Sequence, residues 1–167
     1  MKNLLIVLTV FFVHTVFSQI ALKEGDAAPE FSLQSDEGNM IKLSDYKDKQ
    51  AVVLYFYPKD FTSGCTKQAC NFRDNITGIE AYNAVVLGVS VDNAETHKKF
   101  KEEHNLNFTL LADTTKEVSQ QYSGLNQNGS ANRVTFIIDK PGIIKKIYPN
   151  VNVNENYAEI IEYLKGM

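Results

Sequence analysis

Two runs of apolar residues constrain the fold of this chain more than any other feature. Residues 51–57 read AVVLYFY and residues 84–91 read AVVLGVSV, and both runs are rich in β-branched or aromatic side chains. Strands that are buried on both faces show such continuous runs, whereas half-exposed strands alternate. The sequence therefore predicts two central strands with covering layers on both sides of the sheet.

The segments around these runs predict an α/β protein. A helical pattern at 65–79 separates the two runs, and Asp92 or Asn93 is placed to cap a second helix that ends near residue 104. The other predicted elements are short strands at 31–33, 40–43 and 108–111, a helix at 116–122, a hairpin of strands 134–138 and 143–148, and a helix at 155–165. The crossover helices predict parallel strand pairs in the first half of the chain, and the hairpin predicts an antiparallel pair in the second half. Together they predict a mixed sheet with helices on both faces.

The first 18 residues have the pattern of a secretory signal peptide. Lys2 precedes a mainly apolar stretch at 4–17, and small residues precede Gln19. The alternative is an uncleaved anchor, but the stretch is shorter than the roughly 20 residues that a spanning helix needs. We therefore expect an exported, periplasmic or secreted protein, with one domain at 19–167 and no stable membrane association after cleavage.

Charge and cysteine content exclude several classes of function. The 167 residues include 17 basic and 20 acidic side chains, and the net charge of −3 argues against nucleic acid as a partner. Two cysteines exclude a disulfide-dense scaffold and the four-cysteine zinc classes. The spacing does not bring His97 or His104 to the cysteines, and His97 is expected on an exposed helix face. The sequence thus predicts neither a metal site nor a cofactor.

The chemistry is expected in residues 57–70, YPKDFTSGCTKQAC. This stretch leaves a buried strand and opens a helix, at the carboxyl edge where open α/β sheets place their sites. Cys65 falls in the first helical turn, where unpaired N–H groups and the helix dipole favour an anion. A thiolate, the reactive form of cysteine, is stabilised in such a position.

The spacing of Cys65 and Cys70 indicates a redox pair that opens its own helix. Five residues of helix rise about 7.5 Å and rotate about 140°, which places the two Cα atoms roughly 8.6 Å apart. A disulfide needs less than about 7 Å, so the pair closes only if the helix unwinds. The alternative is a buried, inert cysteine with an accidental neighbour. Four intervening residues do not match the Cys-x-x-Cys motif of dithiol exchange.

The pattern Pro58-x-x-x-Thr62-x-x-Cys65 resembles the active-site signature of the peroxiredoxins. Its surroundings, including Ala69-Cys70, look like the Q-type branch, also called bacterioferritin-comigratory proteins. The similarity continues in order through residues 25–31, 88–100, 110–113 and 133–139.

This resemblance implies a thioredoxin-like fold and a thiol peroxidase. Cys65 matches the peroxidatic cysteine, and Cys70 matches the resolving cysteine. Pro58, Thr62 and Arg133 match the remaining active-site positions, where they would shield the sulfur, hold the peroxide and stabilise negative charge. The implied partners are a small peroxide and a thioredoxin-like or low-molecular-weight thiol reductant, and a monomer is expected.

Some residues depart from the family pattern or have simpler explanations. Gln68 stands where the family usually has glutamate, so a neutral hydrogen bond to Arg133 would replace an ion pair. Ser63 replaces a common proline, and the segment 122–132 is short. Thr62 or Ser63 could serve only as a helix cap, and Arg133 could be a surface charge. Two other functions stay open: a disulfide reductase or electron carrier, and a non-catalytic binding domain with inert cysteines.

Overall fold

The two apolar runs form the adjacent central strands of a seven-stranded sheet in the computed structural model, which describes residues 22–167. The strands are β1 Ser32–Ser35, β2 Met40–Lys42, β3 Ala51–Phe56, β4 Ala84–Ser90, β5 Thr109–Ala112, β6 Val134–Ile138 and β7 Ile144–Tyr148. The helices are α1 Ser63–Asp74, α2 Ile76–Glu80, α3 Ala94–His104, α4 Glu117–Tyr122 and α5 Asn156–Lys165, with a 3-10 turn at Leu43–Asp45.

The sheet is mixed, as predicted. Its strand order is β2-β1-β5-β4-β3-β6-β7. The pairs β3–β4 and β4–β5 are parallel, because α1 with α2 and then α3 return the chain across the sheet. The β6–β7 hairpin is antiparallel, and β6 also pairs antiparallel with β3. The carboxyl end of β3 therefore meets the beginning of β6, and this juxtaposition builds the site.

Alternate side chains of β3 enter two cores on opposite faces of the sheet. Val53, Tyr55 and Tyr57, just beyond the strand, pack with side chains of α1, α2, α3 and α5. The intervening side chains, such as Leu54 and Phe56, pack with Tyr122 of α4 and with the N-terminal segment. Helices therefore cover both faces, which confirms the predicted layout and explains why the run lacks alternation.

Gly88 in β4 allows the ring of Tyr55 to lie against the sheet. A Cβ atom at this position would lie 2.7 Å from the Tyr55 ring and 2.8 Å from a methyl of Leu110. Non-bonded carbon atoms do not approach so closely, so a larger residue at position 88 would displace the Tyr55 ring.

The helix predicted at 65–79 is instead two helices separated at Asn75. The Asn75 side chain donates to the Asn71 carbonyl at 2.9 Å, and its backbone has left the helical region. Short amide side chains compete in this way for backbone hydrogen bonds, which is why they favour helix ends. The other predicted elements are present, with ends that shift by one or two residues.

The expected signal peptide, residues 1–18, lies outside the described residues, so export stays a prediction. Within residues 22–167, no helix combines the length and the apolar character that crossing a membrane requires.

Candidate active site

Cys65 lies at the carboxyl edge of the sheet, where β3 passes into α1. A short loop follows the strand, Thr62 stands at the N-terminal boundary of α1, and Cys65 is the third helical residue. The first backbone bond of the helix runs from the Thr66 N–H to the Thr62 carbonyl at 2.8 Å. The N–H groups of Ser63, Gly64 and Cys65 precede it and have no intrahelical acceptor. They give this end of α1 the positive character that favours an anionic sulfur.

A guanidinium group contacts the sulfur directly. Arg133 Nη2 donates to Cys65 Sγ at 3.1 Å, and Cys65 itself is only 2% exposed. Arg133 immediately precedes β6, and the first residue of that strand pairs with Phe56, the last residue of β3. The antiparallel register thus brings a side chain 68 residues away in sequence onto the sulfur. This placement excludes the interpretation of Arg133 as a surface charge.

The charge of Arg133 has no carboxylate partner in the described part of the chain. Its Nη1 donates to the neutral Gln68 Oε1 at 2.5 Å, as the sequence predicted for a glutamine at this position. Gln68 is buried. The positive charge of Arg133 is therefore not compensated by a carboxylate and is directed at the Cys65 sulfur that it contacts.

Cys70 lies on the same helix, and both cysteines are free thiols. Cys70 is partly exposed whereas Cys65 is buried. An intact helix keeps the two sulfurs on nearly opposite sides, so the structure has the reduced geometry from which a disulfide requires unwinding. Side chains beyond Cys70 hold α1 in place: Asn71 donates to the Val153 carbonyl at 2.7 Å, and Arg73 donates to the His104 carbonyl at 2.5 Å.

The structure places Thr62 and Pro58 near the site without bringing either onto the sulfur. Thr62 is the N-cap residue by position, but its hydroxyl donates to the Lys59 carbonyl at 3.1 Å and does not cap the helix. Thr62 therefore is the capping residue by position, as the alternative expected, although its side chain makes no capping hydrogen bond. Pro58 is half-buried in the same loop. Because a hydroxyl that donates once still has lone pairs, Thr62 can also accept a hydrogen bond.

His97 is completely buried, so the expectation of an exposed position was wrong. Its Nδ1 lies 2.8 Å from Asp60 Oδ2, and its Nε2 lies 3.2 Å from the Leu111 carbonyl. Tyr57 donates to the other oxygen of Asp60 at 2.7 Å. Burial raises the pKa of Tyr57 well above its ordinary value, so the hydroxyl stays protonated as a donor. This network, Tyr57–Asp60–His97, anchors the loop before Cys65 to α3 and β5.

Sequence reasoning missed this network because nothing in a single sequence pairs Asp60 with a histidine 37 residues later. The available signal was the spacing of His97 and Phe100, which share one helix face. Both are fully buried in the structure. In the described part of the chain, no group of three or more His, Cys, Asp or Glu side chains could hold a metal ion.

The fold and the site together define a class of protein. A cysteine in the first turn of a helix, next to a guanidinium and on a mixed sheet with a thioredoxin-like layout, is the arrangement of a thiol peroxidase. The sequence comparisons agree: the AhpC/TSA family pattern matches residues 24–147. This chain belongs to the AhpC/TSA family, the peroxiredoxins, and resembles the Bcp and Q members of that family.

Individual relatives support the same assignment. The chain is 43% identical to the peroxiredoxin Bcp of Bacillus subtilis over 155 residues, which cover 89% of this chain and 98% of that protein. It is 41% identical to the chloroplastic peroxiredoxin Q of Oryza sativa subsp. japonica, over 87% of this chain and 68% of the relative.

Solved structures agree with the sequence relatives. The peroxidoxin BcpB of Mycobacterium tuberculosis superposes with a TM-score of 0.81 at 29% identity, covering 87% of this chain and 98% of that chain. A cysteine-to-serine mutant of the Xylella fastidiosa PrxQ gives a TM-score of 0.81 at 28% identity, over 87% and 96% of the two chains. The similarity to these relatives shows that the protein is a peroxidase of the peroxiredoxin family. It favours this function over a disulfide reductase or a non-catalytic binding domain.

Proposed function

We propose that the protein reduces hydrogen peroxide and organic hydroperoxides, with Cys65 as the peroxidatic and Cys70 as the resolving cysteine. The observation that carries the proposal is the 3.1 Å contact between the Arg133 guanidinium and the Cys65 sulfur at the first turn of α1. It joins a nucleophile, a fixed cation and a set of unpaired N–H groups in one place. A peroxide needs all three, because it must be attacked while its leaving oxygen gains negative charge.

The first step consumes one peroxide and oxidises one sulfur. The Cys65 thiolate attacks the terminal peroxide oxygen, the O–O bond breaks, and Cys65 becomes a sulfenic acid. The other oxygen takes a proton and leaves as water or an alcohol. Arg133 stabilises the charge that develops on that oxygen, because its planar fork of donors reaches the sulfur and a bound oxygen together. In this proposal Thr62 holds the peroxide through its hydroxyl, and Pro58 shields the site from water.

The second step closes a disulfide within the chain. The thiol of Cys70 attacks the sulfenic sulfur of Cys65, an S–S bond forms, and water is released. Since both residues lie on α1, the helix must unwind around Cys70, and the Asn71–Val153 and Arg73–His104 contacts are placed to resist this opening.

A thioredoxin-like protein or a small thiol then supplies two electrons and restores both cysteines. The similarity to peroxiredoxins supports a reductant of this kind, a thioredoxin-like protein or a small thiol. We also propose that the enzyme is a monomer. Export with cleavage before Gln19 is also part of the proposal, on the pattern of residues 1–18. The intact mass of the exported chain tests cleavage directly, and a mass that retains residues 1–18 would contradict it.

Mixing the reduced protein with one equivalent of hydrogen peroxide tests the proposed cycle. We expect rapid peroxide consumption and an intact mass lower by two hydrogens, because one disulfide forms. In the Cys70→Ser variant the disulfide has no second sulfur, so a sulfenic acid should persist and react with dimedone. A wild-type protein that reacts no faster than free cysteine would overturn the peroxidase assignment. A sulfenic acid that persists in the wild type would overturn the resolving role of Cys70.

Arg133→Met should slow the reaction of Cys65 with peroxide on the order of 10²- to 10³-fold, because one preorganised charge stabiliser at the reacting centre is lost. The rate constant of Arg133→Lys should lie between those of Arg133→Met and the wild type, since lysine keeps the charge without the planar fork. Stopped-flow measurements in the Cys70→Ser background isolate this step. Lys67→Met is the matched control, because it removes an equal but exposed charge from α1. Equal rates for Arg133→Met and Lys67→Met would contradict the role of Arg133.

A further inference from the structure

Asn156, the first residue of α5, is connected to the reactive sulfur through a buried chain of hydrogen bonds. Its Oδ1 accepts from Gln68 Nε2 at 3.3 Å and from Thr135 Oγ1 at 2.9 Å. Gln68 in turn accepts from Arg133, which donates to Cys65. Asn156 and Gln68 are each 1% exposed, and Thr135 is fully buried. Three separate elements, α1, β6 and α5, thus meet behind the guanidinium.

The direction of every bond in this chain follows from Arg133. A guanidinium only donates, so Gln68 must present its oxygen to Arg133 and turn its NH₂ group towards Asn156. Asn156 must then present its own oxygen, and the Thr135 hydroxyl donates to that same oxygen. The amide orientations are therefore set from the cation outwards, and reversing any one of them would bring two donors or two acceptors together.

The arrangement leaves one polar atom without a partner. Asn156 Nδ2 is buried and has no hydrogen-bond partner among the described residues. An unpaired buried donor is unfavourable, so an asparagine is a poor choice here if only stability matters. An aspartate would accept both hydrogen bonds without an orphaned donor, but it would add a negative charge close to Arg133. A neutral acceptor leaves the charge of the guanidinium available to the sulfur.

We propose that Asn156 is a positioning residue of the peroxidatic centre: through Gln68 it holds the Arg133 guanidinium against the Cys65 sulfur without adding charge. The inference rests on the proposed function of Cys65 and extends it to a residue of the C-terminal helix. The proposal also makes the placement of Arg133 depend on α1, the helix that must open for the disulfide to form. Gln68 is part of α1, so its bond to Asn156 exists only while α1 is folded around it.

The test compares Asn156→Leu with the matched control Asn154→Leu in the Cys70→Ser background. Leucine is close in shape to asparagine but cannot accept the bonds from Gln68 and Thr135. Asn154 is exposed, and its side chain bonds only within its own loop, to Asn152. The first readout is the rate of Cys65 alkylation by iodoacetamide against pH, which requires no peroxide. The second is the second-order rate constant with hydrogen peroxide.

In Asn156→Leu we expect the pH midpoint of alkylation to move upwards and the peroxide reaction to slow about tenfold, as for the loss of one hydrogen bond to a charge-bearing centre. Asn154→Leu should match the background in both readouts. In the Cys70-containing protein, disulfide closure should be no slower in Asn156→Leu than in the wild type, because one restraint on α1 is gone. A purely structural role would lower stability without moving the alkylation midpoint.

Asn156→Asp keeps the shape and the acceptor oxygens but adds a negative charge, so it tests the second part of the inference, the need for a neutral acceptor, even if Asn156→Leu does not fold. Its carboxylate would partly compensate Arg133, and we expect the alkylation midpoint to move upwards here as well. Midpoints at the background value in both folded variants would overturn the proposal. A shifted midpoint in a protein that fails to reduce peroxide would instead overturn the peroxidase function and leave the positioning role intact.

Discussion

Replacing Cys65 by serine is expected to reduce peroxide consumption to the rate of buffer without protein. The serine hydroxyl is nearly isosteric with the thiol, so the buried position should accept it and the fold should persist. An alcohol does not ionise near neutral pH, however, and among residues 22–167 the only other side chain to which Arg133 donates a hydrogen bond is Gln68, an amide that does not take an oxygen atom from a peroxide. The measurement is peroxide loss in the presence of a thiol reductant.

The two cysteine-to-serine variants should differ in the time course of peroxide consumption. Cys70→Ser is expected to consume one equivalent of peroxide in a burst and then to turn over slowly, because the sulfenic acid forms but cannot be resolved within the chain. Cys65→Ser should show neither burst nor turnover. If Cys65→Ser consumed peroxide as fast as the wild type, the reactive centre would have to lie elsewhere, and the significance of the Arg133 contact would be lost.

Replacing His97 by leucine is expected to lower the free energy of unfolding by about 2–4 kcal/mol, because two buried acceptor groups each lose a hydrogen-bond partner. Both partners are almost completely inaccessible, with side-chain exposures of 0% for His97 and 1% for Asp60. Without the imidazole, the Asp60 carboxylate keeps only the bond from Tyr57 on its side chain, and the Leu111 carbonyl loses the contact with Nε2. Urea unfolding monitored by circular dichroism measures the change.

An exposed pair on the same helix provides the control. Lys99 and Glu95 lie 2.7 Å apart on α3, with side-chain exposures of 66% and 77%, and solvent screens such pairs strongly. Lys99→Ala should leave the urea midpoint essentially unchanged. If His97→Leu lost no more stability than Lys99→Ala, the buried network would not be what anchors the loop before Cys65.

The sequence predicted those parts of the structure that depend on local pattern. The apolar runs of β3 and β4 identified the centre of the sheet, and the helical segments after them predicted the parallel pairs. The part of the site that lies in one continuous segment, from Pro58 to Cys70, was also predictable. The contact of Arg133 with the sulfur was expected from family resemblance, and the register of β6 against β3 provides it.

What the sequence did not predict depends on pairs of polar residues that only the folded chain brings together. His97 looks like any polar residue of an amphipathic helix until Asp60 is placed beside it. Asn156 is one of several asparagines near the start of α5, and its partner Gln68 lies 88 residues earlier. The break at Asn75 depends on one side chain competing for a backbone carbonyl, and periodicity does not register such competition.

The late position of Arg133 and Asn156 in the chain has a consequence for biosynthesis. A ribosome produces Cys65 long before it produces either residue, and the sulfur acquires its cation only after β6 has joined the sheet. A nascent or truncated polypeptide that ends before residue 133 therefore lacks the guanidinium that contacts Cys65 in the folded chain. If Cys65 is the peroxidatic residue that we propose, its full reactivity is expected only once the last third of the polypeptide has been made and folded.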